Sequence, residues 1–297
     1  GSVQFEIRSS GSPIVFERIY NIGTSWKQIV YKYTATSDNM QIAFNMGSEV
    51  NTFYIDNVSV LSDLQGTTVA NNVENAMKTY IQGMVGRYQG KVTQWDVFNE
   101  VLDEYGKLRS LTNTDASPSN VFIWTHYLGR DFAKKAFIYA REMDPVADLF
   151  MNEANLEYYP EKLDAFVALA NELKAANVGI TGVATQMHIS TGTSKSGIDN
   201  ALRKLASTGL KVKIAELDIK CSSANPSAAQ LQNQSDMYKY VVQSYRANVP
   251  AAQRAGITTW GVYDGSTWIQ NDAPLLFDKS FNKKPAYVGF KRGLLGL

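Results

Sequence analysis

From about residue 69 onward the chain alternates between two hydrophobic periods, and this alternation constrains the fold more than any other feature. Residues 73–88 are amphipathic at the helical period, and 91–98 then read as a strand. The pattern repeats as helix 120–143 and strand 147–151, helix 161–176 and strand 180–189, helix 198–208 and strand 211–217. Helix 227–247, strand 257–262 and a last helix over 285–292 complete it. Strand–helix alternation predicts parallel βαβ units and an α/β fold. A doubly wound nucleotide-binding sheet would place a glycine-rich turn after its first strand. No such turn is present, and Gly83 and Gly86 lie inside a helix pattern. The expected architecture is therefore a (β/α)8 TIM barrel of which only strands 4–8 are recognisable. Because the unit opens with a helix and shows five strands, the barrel reads as front-truncated.

Residues 3–60 follow a different rule. In Met40-Gln41-Ile42-Ala43-Phe44-Asn45-Met46, apolar side chains recur at every second position, the period of a strand with one buried face. Segments 3–8, 14–20, 26–34 and 52–61 are also strand-like, separated by clusters of Gly, Ser, Asn, Asp and Pro. They predict antiparallel sheet, an N-terminal β-sandwich (jelly-roll-like) fragment shorter than the roughly 100 residues of a full sandwich. Tyr20, Trp26, Tyr31 and Tyr33 are candidates for a sugar platform there, though the alternation favours core for at least half of them. Gly1-Ser2 reads as a cloning remnant.

Composition excludes several function classes. With 44 % hydrophobic residues in 297, the chain can bury a sizeable core. A net charge of +1 makes nucleic acid and anionic membrane surfaces poor partners. One cysteine, Cys221, excludes an intrachain disulfide and a cysteine-rich metal cluster. The aromatic count, 16 Tyr, 13 Phe and 5 Trp, is mostly core, but it also suits a protein that stacks on sugar rings.

In a βα barrel the chemistry lies at the carboxyl ends of the strands. Those ends carry Asn99-Glu100, Asn152-Glu153, Gln186 with His188, Glu216-Leu217-Asp218, and Trp260 with Asp264 and Trp268. Singly, each has a bland reading: a helix cap, a solvated loop charge, a structural histidine or a core tryptophan. His126, between Trp124 and Tyr127 in a helix pattern, is read as structural. Taken together, two glutamates, amides, a histidine and tryptophans form the inventory for cutting a glycosidic bond. No histidine pair stands at ligand spacing, so no metal or other cofactor is implied.

At Trp95-Asp96-Val97-Phe98-Asn99-Glu100 and Ile214-Ala215-Glu216-Leu217-Asp218 the chain resembles the glycoside hydrolase family 10 endo-β-1,4-xylanases. Further matches follow in family order: Gly86-Arg87-Tyr88, Gln186-Met187-His188, Trp260-Gly261-Val262-Tyr263-Asp264 with Ser266-Thr267-Trp268, Pro274-Leu275-Leu276-Phe277-Asp278, and Lys284-Pro285-Ala286. The resemblance implies Glu100 as general acid/base and Glu216 as nucleophile. It implies Asn99 on the 2-hydroxyl of the reacting sugar and His188 orienting Glu216 with support from Asp218. Gln186, Trp260 and Trp268 would line the same subsite. The implied reaction is retaining endo-hydrolysis of β-1,4-xylosidic linkages. The alternatives are a xylan-binding, catalytically impaired fragment and a related retaining β-1,4-glucanase.

Two departures from the family pattern stand out. Members often read N-D-Y after strand 5, where this chain has Asn152-Glu153-Ala154. The first three barrel strands would precede Val69, but the chain has instead a β-rich segment ending Thr52-Phe53-Tyr54-Ile55-Asp56-Asn57-Val58-Ser59-Val60. That ending resembles the last strand of a xylan-binding carbohydrate-binding module of the kind inserted in some xylanase barrels. The expected organisation is residues 1–2 tag remnant, 3–62 module fragment, 63–68 linker and 69–297 catalytic domain. The expected partners are xylan or xylo-oligosaccharides, and a second chain or a dimer supplying the missing strands. The expected location is secreted or in the cell envelope.

Overall fold

The computed structural model describes residues 2–9, 14–21, 24–25, 40–45, 54, 67–113 and 122–297. The chain divides into two compact units, Gly1–Leu64 and Gln65–Leu297.

In the first unit, β1 (Ser2–Ser9), β2 (Ile14–Asn21) and β3 (Met40–Asn45) form an antiparallel sheet in the order β2-β1-β3. Period-2 alternation sets the register: Phe5 faces Phe44 and Ile7 faces Ile42. The Phe5 and Phe44 ring centroids lie 5.6 Å apart. On the opposite face Glu6 is buried and paired with Arg8. The second sheet of a sandwich is not among the described residues. Segments 26–34 and 52–61, with Trp26, Tyr31 and Tyr33, lie outside them, apart from Tyr54, which is in no regular element.

The second unit opens with α1 (Thr67–Arg87), so Thr67 and Thr68, read above as linker, start a helix. Then come β4 (Gln94–Asn99), α2 (Trp124–Leu128), α3 (Phe132–Met143), β5 (Asp148–Glu153) and α4 (Pro160–Ala175). They are followed by β6 (Gly182–Thr185), β7 (His188–Ser190), α5 (Lys195–Ser207), β8 (Lys211–Lys220), α6 (Ala228–Asn248), β9 (Arg254–Thr259) and α7 (Pro285–Leu295). β4, β5, β6 and β8 are successive parallel neighbours; β8 also pairs in parallel with β7 and β9. The sheet curls enough for the Gln94 amide on β4 to donate to the Ala255 carbonyl on β9 at 3.2 Å.

Most element ends shift by a few residues from expectation, and two expected elements are divided. The single helix over 120–143 is two helices, because Gly129 takes φ 62° and ends α2 with its N–H on the Thr125 carbonyl. The single strand over 180–189 is interrupted at Gln186 and Met187, the latter at φ 64°. The main core lies between sheet and helices, where Phe137, Phe166, Leu173, Val183 and Ile214 are fully buried. Each such side chain contributes about 1.5–3 kcal/mol. A smaller cluster of Phe150, Ala184 and Ala215 fills the inner face of the sheet.

Candidate active site

An irregularity in each of two strands aims its polar side chains. In β4 the register against β5 shifts between Asp96 and Phe98, just before Asn99 and Glu100. Glu100 takes φ 53°, a left-handed conformation that non-glycine residues rarely adopt. In β8 the register against β9 shifts between Ile214 and Leu217. Both of those side chains join the outer core although they are three apart, so parity reverses between them. Ala215 is left on the inner face, and Glu216 beside it joins the polar cluster. Irregularities of this kind commonly re-aim side chains next to functional sites.

The structure brings the strand-end residues into one hydrogen-bonded cluster. Asn99 Oδ1 accepts from Asn152 Nδ2 and from Gln186 Nε2, each at 3.0 Å. Gln186 Nε2 also donates to Glu100 Oε1 at 2.9 Å, and Asn152 Nδ2 to Glu216 Oε1 at 2.7 Å. Three amides therefore connect the two glutamates. The other oxygen of Glu216 faces His188 Nε2 at 3.3 Å. His188 Nδ1 and Trp268 Nε1 both meet Asp218 Oδ2 at 2.9 Å. With a carboxylate at each ring nitrogen, His188 is held as imidazolium. Burial opposes that charge, but hydrogen bonds to Asp218 and Glu216 and their charges outweigh it and push His188 up to about 9. Trp260 and Trp268 present exposed rings 6.5 and 5.0 Å from the imidazole, edge-on to it.

Under the cluster the inner face is also polar. Partial desolvation by the surrounding inner face pushes the Asp96 carboxyl up, opposed by the Lys213 ammonium and reinforced by Glu216. The Lys213 ammonium also lies 5.9 Å from the Phe150 ring centroid. Among the described residues, no group of three or more His, Cys, Asp or Glu side chains is arranged to hold a metal ion.

Three residues gain roles that the sequence reading did not give them. Asn152 is a donor to Glu216; its place at a strand end was the available signal. Glu153, grouped above with possible caps and loop charges, is fully buried and forms an ion pair with Lys162 at 2.9 Å. Burial pushes the Glu153 carboxyl up, while Lys162 and the amides of Leu102 and Ala154 pull it down. Lys162 falls on the buried stripe of α4 with Phe166, Leu169 and Leu173, and that periodicity was its signal.

A parallel, curled βα sheet with its polar side chains gathered at the carboxyl ends of the strands defines the class: an α/β protein built on barrel strands. The chain belongs to glycosyl hydrolase family 10, whose family model matches residues 56–292. It is 34 % identical over 218 residues to exoglucanase XynX of Acetivibrio thermocellus, covering 71 % of this chain and 19 % of that protein. It is 33 % identical over 247 residues to an endo-1,4-beta-xylanase of Geobacillus stearothermophilus, covering 77 % of this chain and 71 % of that one. Among solved structures it is similar to a mutant of the intracellular xylanase of Thermoanaerobacterium saccharolyticum in complex with xylotriose. That match has a TM-score of 0.65 and 32 % identity, and covers 75 % of this chain and 66 % of the other. Family and neighbours together imply a (β/α)8 barrel, of which the parallel sheet and its helices are the part described.

Proposed function

We propose that the protein is an endo-acting hydrolase of β-1,4-xylosidic linkages that works by retaining double displacement. The observation that carries this reading is the amide cluster joining Glu100 to Glu216, with His188 held between Glu216 and Asp218. Glu216 attacks the anomeric carbon while Glu100 protonates the departing glycosidic oxygen. Glu100, now a carboxylate, takes a proton from water; the oxygen of that water attacks the anomeric carbon and releases Glu216. Asn99 and Gln186 bind sugar hydroxyls, and the exposed Trp260 and Trp268 faces wall the subsite by stacking. The xylotriose bound by the Thermoanaerobacterium neighbour supports xylo-oligosaccharides as the ligand class.

The test is release of reducing sugar from xylan by wild type, Glu100→Ala and Glu216→Ala. Loss of about 10²-fold or more in each variant is expected. Equal rates in the three proteins would sink the reading in favour of a xylan-binding protein without turnover. A glucan arm is warranted because one relative is an exoglucanase. A higher rate on β-1,4-glucan than on xylan would move the assignment to that substrate.

Three further parts belong to the same proposal. Unit Gly1–Leu64 is part of a xylan-binding β-sandwich module. The protein is secreted or held in the cell envelope, where the polysaccharide is reached. Among the described residues, β4 and β9 each pair with one strand only, so a second chain or a second copy supplies further strands beyond the point where Gln94 and Ala255 bridge their edges. Light scattering after size exclusion checks the last point: a monomer with a sharp melting transition would contradict it.

A further inference from the structure

Among the buried charged groups that the reaction above does not use, one pair lies directly beneath the site. Glu153 ends β5, Lys162 lies in the first turns of α4, and their side chains are 0 % and 1 % exposed. An apolar pair of similar volume would hold β5 against α4 as well, because burying two charges costs roughly what their attraction returns. The ion pair is thus not explained by packing. What the Glu153 carboxylate supplies, and an apolar side chain cannot, is an acceptor: Oε2 takes the Leu102 N–H at 3.1 Å. Its other oxygen takes the Ala154 N–H at 3.0 Å and the Lys162 ammonium at 2.9 Å.

Leu102 lies two residues beyond Glu100, in the segment that must hold Glu100 at φ 53°. Strained conformations of this kind persist when the surroundings over-determine them. Three ties do so here. The Glu100 N–H donates to the Asn152 carbonyl at 3.1 Å, Arg109 Nε donates to the Glu100 carbonyl at 2.8 Å, and Leu102 is anchored by Glu153. The Asn152 carbonyl ties the segment to β5 alone, whereas the Glu153 tie also reaches α4 through Lys162.

We propose that Glu153, fixed by Lys162, is a positioning residue for Glu100: by pinning Leu102 it sets the left-handed turn from which the Glu100 carboxyl meets the leaving oxygen. This rests on the reading of Glu100 as the acid/base. A positioning role predicts a chemical signature that a structural role lacks. A leaving group of low basicity departs without protonation, whereas a basic one needs the acid.

The experiment measures kcat/KM, which reports bond cleavage, for dinitrophenyl and phenyl β-xylobiosides. It compares wild type, Glu100→Ala, E153L/K162M and E153Q/K162M. The first double variant removes both buried charges together with the acceptor; the second restores an acceptor oxygen without charge. For E153L/K162M we expect a fall of about 10²-fold on the phenyl glycoside, the scale of a small misplacement. On the dinitrophenyl glycoside the change stays within about threefold, the same contrast as Glu100→Ala. E153Q/K162M recovers most of the phenyl rate. Equal falls on both substrates, no fall on either, or no recovery would overturn the inference. If wild type cleaves neither glycoside, or Glu100→Ala shows no contrast, it is the function reading that fails. The inference is then decided by amide exchange: acceleration confined to residues 100–109 in E153L/K162M supports the pin, and unchanged exchange overturns it.

Discussion

Glu216 receives a donor on each oxygen, an uncharged amide from Asn152 and an imidazolium from His188. The amide is the more exposing test of this arrangement, because Asn152 also bridges to Asn99 and through it to Gln186. A hydrogen bond to a charged group is worth about 1.5–3 kcal/mol, or roughly 10- to 10²-fold in rate. Asn152→Ala should therefore lower kcat/KM on xylo-oligosaccharides by that factor, and steady-state kinetics checks it; an unchanged value would show that the amide only fills space. At this scale the residues legible in the sequence were those whose type and strand-end position both signal chemistry: Glu100, Glu216, His188, Trp260 and Trp268. Glu153 and Lys162 were missed for the opposite reason, since a carboxylate after a strand and a lysine in a helix are ordinarily solvated. Only the partnership across β5 and α4 gives them meaning, and no spacing along the chain encodes it.

Among the elements, helix and strand existence followed from period, while breaks and shifts in register did not. Gly129 could have suggested the division between α2 and α3, because glycine readily takes positive φ. The shifts in β4 and β8 have no such marker; they arise from pairing with β5 and β9, a property of neighbours. The contact between α6 and α7 is similarly hidden. A Cβ added to Gly289 would run into the Ser235 carbonyl oxygen, and one on Gly293 would lie 2.7 Å from Val242 Cβ. The two helices approach at backbone distance there, and the Ser235 hydroxyl donates to the Pro285 carbonyl at 2.7 Å. Gly289→Ala should cost about 1–3 kcal/mol or more by overpacking. Urea titration should show a lower midpoint with an unchanged slope. A wild-type midpoint would mean that α7 can slide along α6 at no cost.

For the whole molecule the legible parts were the change of grammar between a β-rich segment and an alternating α/β one and, from the lack of a glycine-rich turn, a barrel rather than a doubly wound sheet; the third pairing partner of β8 was not legible, since it depends on how the strands meet in the assembled sheet. The balance of titrating groups is likewise a property of the assembled fold, and it makes an unusual prediction. Glu157 is buried at 6 % exposure, and burial pushes its carboxyl up to about 7, with the His188 charge, a Thr185 hydrogen bond and the Lys162 charge pulling weakly against it. A raised folded value means stability that is complete below the ordinary value of 4.5 and lost as pH rises through about 7. His188, raised from 6.5 to about 9, acts in the same direction one step higher: its contribution is complete below 6.5 and lost through about 9. Opposing them, the carboxyls of Glu74 and Glu172 are lowered by hydrogen bonds from Lys135 and Arg130, and those of Asp144 and Asp278 by hydrogen bonds from the Ala147 amide and from Asn282. Those four contribute stability that is lost only as pH falls below the ordinary carboxylate range. Stability should therefore peak on the acid side of neutrality and decline toward about pH 9, the raised carboxyls of Glu157, Glu153 and Asp96 acting before His188. Glu157→Gln removes the Glu157 part of that decline, so it should gain on wild type at pH about 8 and gain nothing at pH about 4. Chemical denaturation across that range decides the matter; stability that climbs from acid to alkaline pH would show that Glu157 and His188 do not govern it.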